Sequence, residues 1–279
     1  MKICLSAWSC HQLYNRGAWS NVDFIDFVGR DTKAQGVELL TKYLSSDTDL
    51  ISIEEALSRN NLSVACIGAS NNFVLPNEGE RLEQVEEIAK AVHLAKHFGA
   101  AVVRVFAGDE LEGISYEQGR QWIVEGLKSA AAMAETQGIK LCLENHGTFA
   151  GKASQVKEII TSVNSPALRS TFDTGNFLLV EENPSDAIDQ LQKLADHVHF
   201  KDFVKVEEQQ EGTVYCSLAG DYYIGKIAGE GSVDLLYILG RLKDAAYEGW
   251  LTVEYEGDDD EQTASIQSIA NLNKILQTL

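Results

Sequence analysis

The sequence lacks several features that would assign it to a common functional class. It has no run of about 18 apolar residues, so no segment is long enough to cross a membrane as a helix. No Cys-X-X-Cys pair occurs among the five cysteines, and this odd, unpaired set indicates reduced thiols. The cysteines are Cys4, Cys10, Cys66, Cys142 and Cys216. The first residues contain no long apolar core of the signal-peptide type, and we therefore expect a cytoplasmic protein.

Positive charge is also scarce. Lys and Arg number 23 against 42 Asp and Glu, which gives a formal net charge of -19. A negative field of this size repels phosphate backbones and anionic lipids. We therefore expect neither nucleic acid nor a membrane surface as a partner.

Short apolar runs alternate with amphipathic stretches along all 279 residues. Eight runs predict buried strands, because they are short, rich in Val, Ile, Leu and Phe, and often bounded by Gly. These are Ile3–Trp8, Gly36–Leu40, Ser63–Gly68, Ala101–Phe106, Lys140–Glu144, Arg169–Asp173, His197–Lys201 and Trp250–Glu254. The stretches between them predict eight helices. These are Val22–Lys33, Ser52–Asn60, Glu80–Phe98, Tyr116–Gln137, Lys152–Val163, Ser185–Ala195, Val233–Ala246 and Thr263–Leu279.

This alternation predicts an α/β fold, a single (β/α)8 TIM barrel over residues 1–279. An open doubly wound sheet would give the same pattern. However, no Gly-X-Gly-X-X-Gly follows the first strand, so the usual nucleotide signature of that alternative is absent. The longest irregular stretch, Asp202–Gly231, is too long for a plain turn and predicts a functional loop or lid.

Strands five to eight end in residues suited to metal binding or acid–base chemistry. In such barrels the catalytic groups come from the C-terminal ends of the strands. Because side chains alternate between faces, Glu144, Asp173, His199 and Glu254 would all point toward the axis while their apolar neighbours face the helices. Three carboxylates gathered there would repel one another without a cation. The mixed oxygen and nitrogen set predicts a divalent metal ion, Mn, Mg, Co or Zn.

These strand ends resemble the xylose isomerase-like barrel superfamily, the sugar phosphate isomerase/epimerase family, in strand order over almost the whole chain. The most specific segments are Leu143-Glu144-Asn145-His146, Phe172-Asp173-Thr174-Gly175-Asn176, His197-Val198-His199-Phe200-Lys201-Asp202, Gly229-Glu230-Gly231-Ser232-Val233-Asp234 and Val253-Glu254. The resemblance implies that Glu144, Asp173, His199 and Glu254 are the metal ligands. Many members carry a His where this chain has Asn176. That departure predicts a single metal ion and sets the chain apart from the trinuclear-zinc DNA-repair branch.

The resemblance implies a sugar isomerase or epimerase that moves a proton at a carbon next to a carbonyl, through an enediolate. Glu144 and Glu254 would be the catalytic acid and base on opposite faces of that carbon. Six further residues are candidates for binding the substrate: His146, Asn176, Lys201, Arg104, Glu38 and Glu230.

Each of these candidates also has a structural alternative. His146 could cap a loop, and Lys201 could form an ion pair with a carboxylate of the eighth strand. Arg104 could form a buried pair with Glu144 or Glu38, in which case Glu38 would serve the ligand network. Glu230 could cap a turn.

Several other residues receive simpler interpretations. His197 is interpreted as a core histidine, and His93 and His97 as surface residues. Trp8, His11 and Phe73 are candidate walls of the pocket. The acidic run Asp258–Glu261 is interpreted as a solvated charge set at a helix N-terminus.

Two other functions fit the same residues. One is a metal-dependent lyase or dehydratase acting on a keto-sugar or polyol, with His146 or Lys201 as the base. The other is a sugar-binding protein without catalysis, against which the complete ligand set argues. No phosphate-binding Gly motif is present, which favours an unphosphorylated small-molecule sugar. A homodimer is left open as the oligomeric state.

Overall fold

Eight parallel strands close into a barrel, which confirms the predicted fold class. The computed structural model describes residues 1–44 and 47–279. The barrel strands are β1 (Lys2–Ser6), β2 (Gly36–Leu40), β3 (Ser63–Gly68), β4 (Val102–Val105), β5 (Lys140–Glu144), β6 (Leu168–Asp173), β7 (Ala195–Phe200) and, after a three-stranded insertion, β11 (Trp250–Val253). Each lies within two residues of its prediction at both ends. Consecutive barrel strands are neighbours, and β1 pairs with β11 to close the ring.

Helices surround this barrel. They are α1 (His11–Asn15), α2 (Asn21–Asp31), α3 (Asp47–Asn60), α4 (Glu78–Phe98), α5 (Tyr116–Gln137), α6 (Gly147–Ala150), α7 (Ala153–Val163), α8 (Pro184–Leu191), α9 (Leu235–Asp244) and α10 (Glu261–Thr278). The prediction Ser185–Ala195 was too long, because Ala195 already pairs with Ser170 as the first residue of β7. Although α4 and α5 have 21 and 22 residues, no helix in the described part of the chain is long and apolar enough to cross a membrane.

The main core lies between the barrel and the helices. Leu141 and Leu143 of β5 and Val198 and Phe200 of β7 are fully buried in it, as the alternation of side chains predicts. The opposite faces of the same strands carry the polar side chains into the barrel. The apolar pattern therefore fixes which side chains point toward the axis.

The segment after β7 differs from the prediction. It is not an irregular loop but a small antiparallel sheet of β8 (Asp202–Val206), β9 (Tyr215–Cys216) and β10 (Tyr222–Lys226), in the order β8-β10-β9. Asp202 anchors its base. The buried Asp202 carboxylate accepts backbone N–H bonds from Gly229, Gly231 and Val233 at 3.0, 2.9 and 3.1 Å. We call residues 202–226 the ribbon.

Candidate metal centre

Four side chains converge at the C-terminal end of the barrel. Glu144 ends β5, Asp173 ends β6, His199 lies near the end of β7, and Glu254 directly follows β11. One donor atom from each lies within 4.8 Å of the donor atoms of the other three, and all four residues are buried. Asp173 and His199 are also register partners of β6 and β7, so the strand pairing itself brings them together.

One buried atom of this group, His199 Nδ1, has no hydrogen-bond partner among the described residues, and Asp173 Oδ2 has only the ammonium group of Lys201 at 3.2 Å. His199 Nδ1 lies 3.5, 3.6 and 3.8 Å from carboxylate oxygens of Glu254, Glu144 and Asp173. A buried polar atom without a partner is costly, and this one faces three carboxylates. A divalent cation with oxygen and imidazole ligands fits this arrangement, and the donor set matches Mn, Mg, Co or Zn.

The loop after β6 holds Asp173 in place through the backbone. Asp173 Oδ1 accepts N–H bonds from Gly175 and Asn176, both at 2.9 Å. Asn145 pairs with the Asp173 backbone by accepting its N–H at 2.7 Å and donating to its C=O at 3.0 Å. Because one carboxylate oxygen is fully used in this way, the other is directed toward the cluster.

Arg104 supplies a buried positive charge beside Glu144. Its Nε lies 3.1 Å from Glu144 Oε2, and its Nη1 donates to the Ala69 carbonyl at 2.9 Å. The guanidinium also lies 4.0 Å from the centre of the Phe106 ring. Arg104 therefore pairs with Glu144 rather than with Glu38, the other partner that the sequence allowed.

Lys201 lies among several carboxylates. Its Nζ is 2.7 Å from Glu254, 3.2 Å from Asp173 and 3.3 Å from Glu256. Burial alone would lower the pKa of Lys201, but these carboxylates outweigh it and hold the pKa well above its usual value. Lys201 therefore forms the ion pair with an eighth-strand carboxylate, Glu254, that was its structural alternative. It also contacts two further acids, Asp173 and Glu256.

The pKa values of the clustered carboxylates reflect the crowding of negative charge. Burial raises the pKa of Glu144, and it raises the pKa of Asp173 to about 6. Burial would also raise the pKa of Glu254, but Lys201 and His199 outweigh it and lower that pKa. Burial would lower the pKa of His199, yet Glu38, Glu254 and Glu144 raise it well above its usual value. Positive charge is therefore strongly favoured at the centre of the cluster.

Glu38 and His197 lie next to the cluster of Glu144, Asp173, His199 and Glu254. Glu38, a predicted substrate-binding residue, is fully buried in contact with His197 and His199 and is not among the residues that line the cavity. Its Oε2 accepts from Nε2 of His197 at 2.8 Å and of His199 at 3.0 Å. Burial would raise the pKa of Glu38, but the two imidazoles hold it well below its usual value. His197 is also 3.0 Å from Thr252 Oγ1, consistent with a core position.

A cavity of about 490 Å³, a size typical of small-molecule sites, opens at Glu144 and Glu254 of the cluster. Seventeen residues line it: Trp8, Leu40, Lys42, Ser70, Asn71, Asn72, Arg104, Phe106, Asp109, Glu144, His146, Asn176, Leu179, Lys201, Tyr215, Glu254 and Glu256. Phe73 and Glu230 are not among them. Phe73 is fully buried, so its prediction as a pocket wall was wrong, and Glu230 is exposed in the turn that Asp202 anchors.

His146 and Asn176 stand on one side of this cavity. The His146 ring packs against Phe106 with 5.0 Å between centroids. Burial by the cavity walls lowers the pKa of His146, and Lys201 lowers it further. Asn176 donates to Glu144 Oε1 at 3.2 Å and accepts from Lys201 Nζ at 3.4 Å. Asn176 therefore joins the Glu144 side of the cluster to the Lys201 side.

Sequence reasoning missed Glu256 and Tyr215 and misread Glu261. Glu256 contacts Lys201 and accepts from Trp8 Nε1, and its position two residues after Glu254 was the available signal. Tyr215 reaches the cavity from the ribbon, which the sequence did not reveal as a sheet. Glu261 is not solvated, because it is buried and accepts the backbone N–H of Gln12 and Leu13 at 2.9 and 3.1 Å.

Comparison with known proteins matches residues 28–275 to the family model described as xylose isomerase-like TIM barrel. An inosose dehydratase from Clostridium beijerinckii is 24% identical over 267 residues, covering 86% of this chain and 87% of that protein. A D-tagatose 3-epimerase-like protein superposes with a TM-score of 0.79 at 22% identity, covering 100% of this chain and 98% of the other. A xylose isomerase-like TIM barrel protein from Mycobacterium smegmatis, solved in complex with magnesium, has a TM-score of 0.72 at 16% identity, with coverage of 93% and 90%.

Proposed function

Because this chain belongs to the xylose isomerase-like TIM barrel family, we propose that it is a metal-dependent sugar isomerase or epimerase. It would move a proton at a carbon next to a carbonyl. The observation that carries the proposal is the convergence of Glu144, Asp173, His199 and Glu254 beneath a cavity of sugar size. A bound divalent ion would polarise the substrate carbonyl and favour negative charge on the oxygens beside it.

Glu144 and Glu254 are the proposed proton carriers. Both line the cavity, and they come from β5 and from the end of β11. Their neighbours differ, since Glu144 contacts Arg104 and Asn176 whereas Glu254 contacts Lys201. Two carboxylates in different settings can remove a proton from one face of a carbon and return it to the other.

The remaining lining residues would bind and orient the sugar. His146, Asn176, Lys201 and Arg104 offer hydrogen-bonding groups to hydroxyl and carbonyl oxygens. Trp8, Phe106 and Tyr215 add aromatic surface that can pack on a sugar ring and exclude water.

A dehydratase acting on a keto-sugar or related polyol is the second candidate. The C. beijerinckii inosose dehydratase supports it, because that similarity extends over most of both chains. The first step would again be removal of the proton next to the carbonyl. His146 or Lys201 would be the base that takes this proton, and its protonated form would return the proton to the departing hydroxyl, which leaves as water.

A substrate panel in D₂O distinguishes these candidates. The protein is freed of metal with EDTA, loaded with Mn²⁺, Mg²⁺ or Co²⁺, and incubated with ketoses, keto-sugars and inososes while NMR spectra are recorded. Deuterium entering a carbon-bound position with the formula otherwise unchanged supports the isomerase or epimerase. Loss of water supports the dehydratase. No turnover of any panel member under any metal, by protein shown to be folded, would contradict both.

A further inference from the structure

Glu38 lies where it can control the proposed metal ligand His199. It is fully buried on β2, across the barrel from β7. One oxygen, Oε2, accepts from Nε2 of both His199 and His197, and the other, Oε1, accepts from Ser6 Oγ at 3.0 Å. Because Glu38 does not reach the cavity, these contacts do not serve a substrate.

These contacts also determine which ring nitrogen of His199 faces the ligand cluster. An ionised carboxylate only accepts hydrogen bonds, so the Nε2 that contacts it must carry the proton. When a metal ion replaces the second ring proton, the lone pair is on Nδ1, the atom that lies 3.5 to 3.8 Å from the carboxylates of Glu254, Glu144 and Asp173. In metal sites, a carboxylate behind a histidine fixes the ring tautomer and orientation and raises the basicity of the ligand.

We propose that Glu38 is a positioning residue that holds His199 with Nδ1 directed at the metal. This inference rests on the metal site of the proposed function. It assigns to Glu38 a role through His199 rather than a contact with substrate. His197, which shares the same carboxylate oxygen, is the second support for the position of that carboxylate.

A second group of side chains that could hold a metal ion lies deeper in the barrel and consists of Glu38, Cys66 and His197. The test must distinguish this group from the cluster that contains His199. If the metal lay in the deeper group, Glu38 would be a direct ligand rather than a positioning residue. Cys66 distinguishes the two arrangements, because it belongs only to the deeper group, where it packs in an apolar cluster with Val102 and Cys142.

The test is the affinity for Co²⁺, measured by titration of metal-free protein and by the visible absorption of the bound ion. Glu38→Gln keeps the side-chain size but removes the charge. We expect it to weaken Co²⁺ binding about 10–100-fold and to change the absorption spectrum, because His199 loses its fixed tautomer. Cys66→Ser, the matched buried control, is expected to leave the affinity and spectrum unchanged. Melting curves confirm that both variants are folded at the titration temperature.

The outcomes separate this inference from the proposed function. Unchanged affinity and spectrum in a folded Glu38→Gln variant would overturn the positioning role alone. An equally large loss in Cys66→Ser would overturn it too, by placing the metal in the deeper group. If the wild-type protein binds no divalent ion, the proposed function itself fails.

A measurement on the wild-type protein keeps the proposal testable if the Glu38 variant does not fold. Histidine-labelled protein loaded with Zn²⁺ is examined by long-range ¹H–¹⁵N NMR, which reports the state of each ring nitrogen. The proposal predicts that His199 carries its proton on Nε2 and binds the metal through Nδ1. Metal binding through Nε2 would overturn it.

Discussion

Asp173→Asn should change the stability of the protein in opposite ways with and without metal. Without metal, Asp173 adds negative charge to a buried cluster in which the donor atoms of three carboxylates lie within 4.8 Å of one another. Two unit charges at that separation repel by about 3.5 kcal/mol at an effective dielectric constant of ~20. Lys201, 3.2 Å from Asp173, offsets part of this repulsion. The amide can still accept the N–H bonds of Gly175 and Asn176. We therefore expect the variant to be at least as stable as the wild type in EDTA.

With metal the order reverses. A ligand present at about 100 times its Kd stabilises the folded state by about 2.7 kcal/mol. The entropy of unfolding is about 2.1 cal/mol/K per residue, or roughly 590 cal/mol/K for 279 residues, so the wild-type Tm should rise by roughly 5 °C. The variant lacks one carboxylate oxygen of the proposed ligand set and should show little of that rise.

The assay is differential scanning calorimetry in EDTA and in excess Mn²⁺ or Co²⁺. Glu256→Gln is the matched control, because Glu256 contacts Lys201 but lies outside the ligand group, and it should keep the full rise. A rise of equal size in Asp173→Asn and the wild type would refute the reasoning.

Three further predictions follow from individual contacts. Glu254→Gln should lower kcat about 10²–10⁴-fold. The metal content of the variant is measured in parallel, because it separates loss of the base from loss of the ion, and full turnover would rule out the acid–base role of Glu254. Arg104→Leu should lower the free energy of unfolding by about 3–5 kcal/mol, measured in urea with EDTA, because it removes the buried cation that pairs with Glu144 and leaves that carboxylate only the amide of Asn176. An unchanged urea midpoint would argue against the Arg104–Glu144 pair. Asp202→Ala should leave three backbone N–H groups without their acceptor, at a cost of about 1–3 kcal/mol each. Amide hydrogen exchange should therefore become faster at residues 229–233 but not in α5, and exchange rates at 229–233 equal to those of the wild type would contradict the anchoring role.

The barrel could be predicted because its strands are defined by short-range pattern. Apolar residues at every second position place Leu141 and Leu143 toward the helices and Glu144 toward the axis. Chain order then brings β5, β6 and β7 side by side, so the polar strand ends had to meet. The ends of α4 and α5 also depend on local chemistry, since Gly99 and Gly138 end these helices in the left-handed conformation, at φ 72° and 71°, which glycine adopts without strain.

What the sequence did not reveal depends on contacts between distant segments. The strands of the ribbon are short and only partly buried, and their sequences do not alternate regularly between apolar and polar residues. The pairing of Tyr222 with Val206 therefore has no local signal in the sequence. Glu261 is buried where it accepts hydrogen bonds from the backbone N–H groups of residues 12 and 13, which are far from it in sequence and lie next to it only because the barrel closes. Glu38 lies among histidines for the same reason, because β2 and β7 are far apart in sequence and meet only inside the barrel.

The most direct test of the account is hydrogen exchange at carbon in an accepted substrate. The metal-loaded protein is incubated with that substrate in D₂O, and the carbon next to the carbonyl is followed by NMR before and after addition of EDTA. We predict that deuterium enters that carbon with metal present and that its entry stops on chelation. Conversion without carbon-bound deuterium, or exchange that continues unchanged in EDTA, would contradict metal-dependent proton transfer at Glu144 and Glu254.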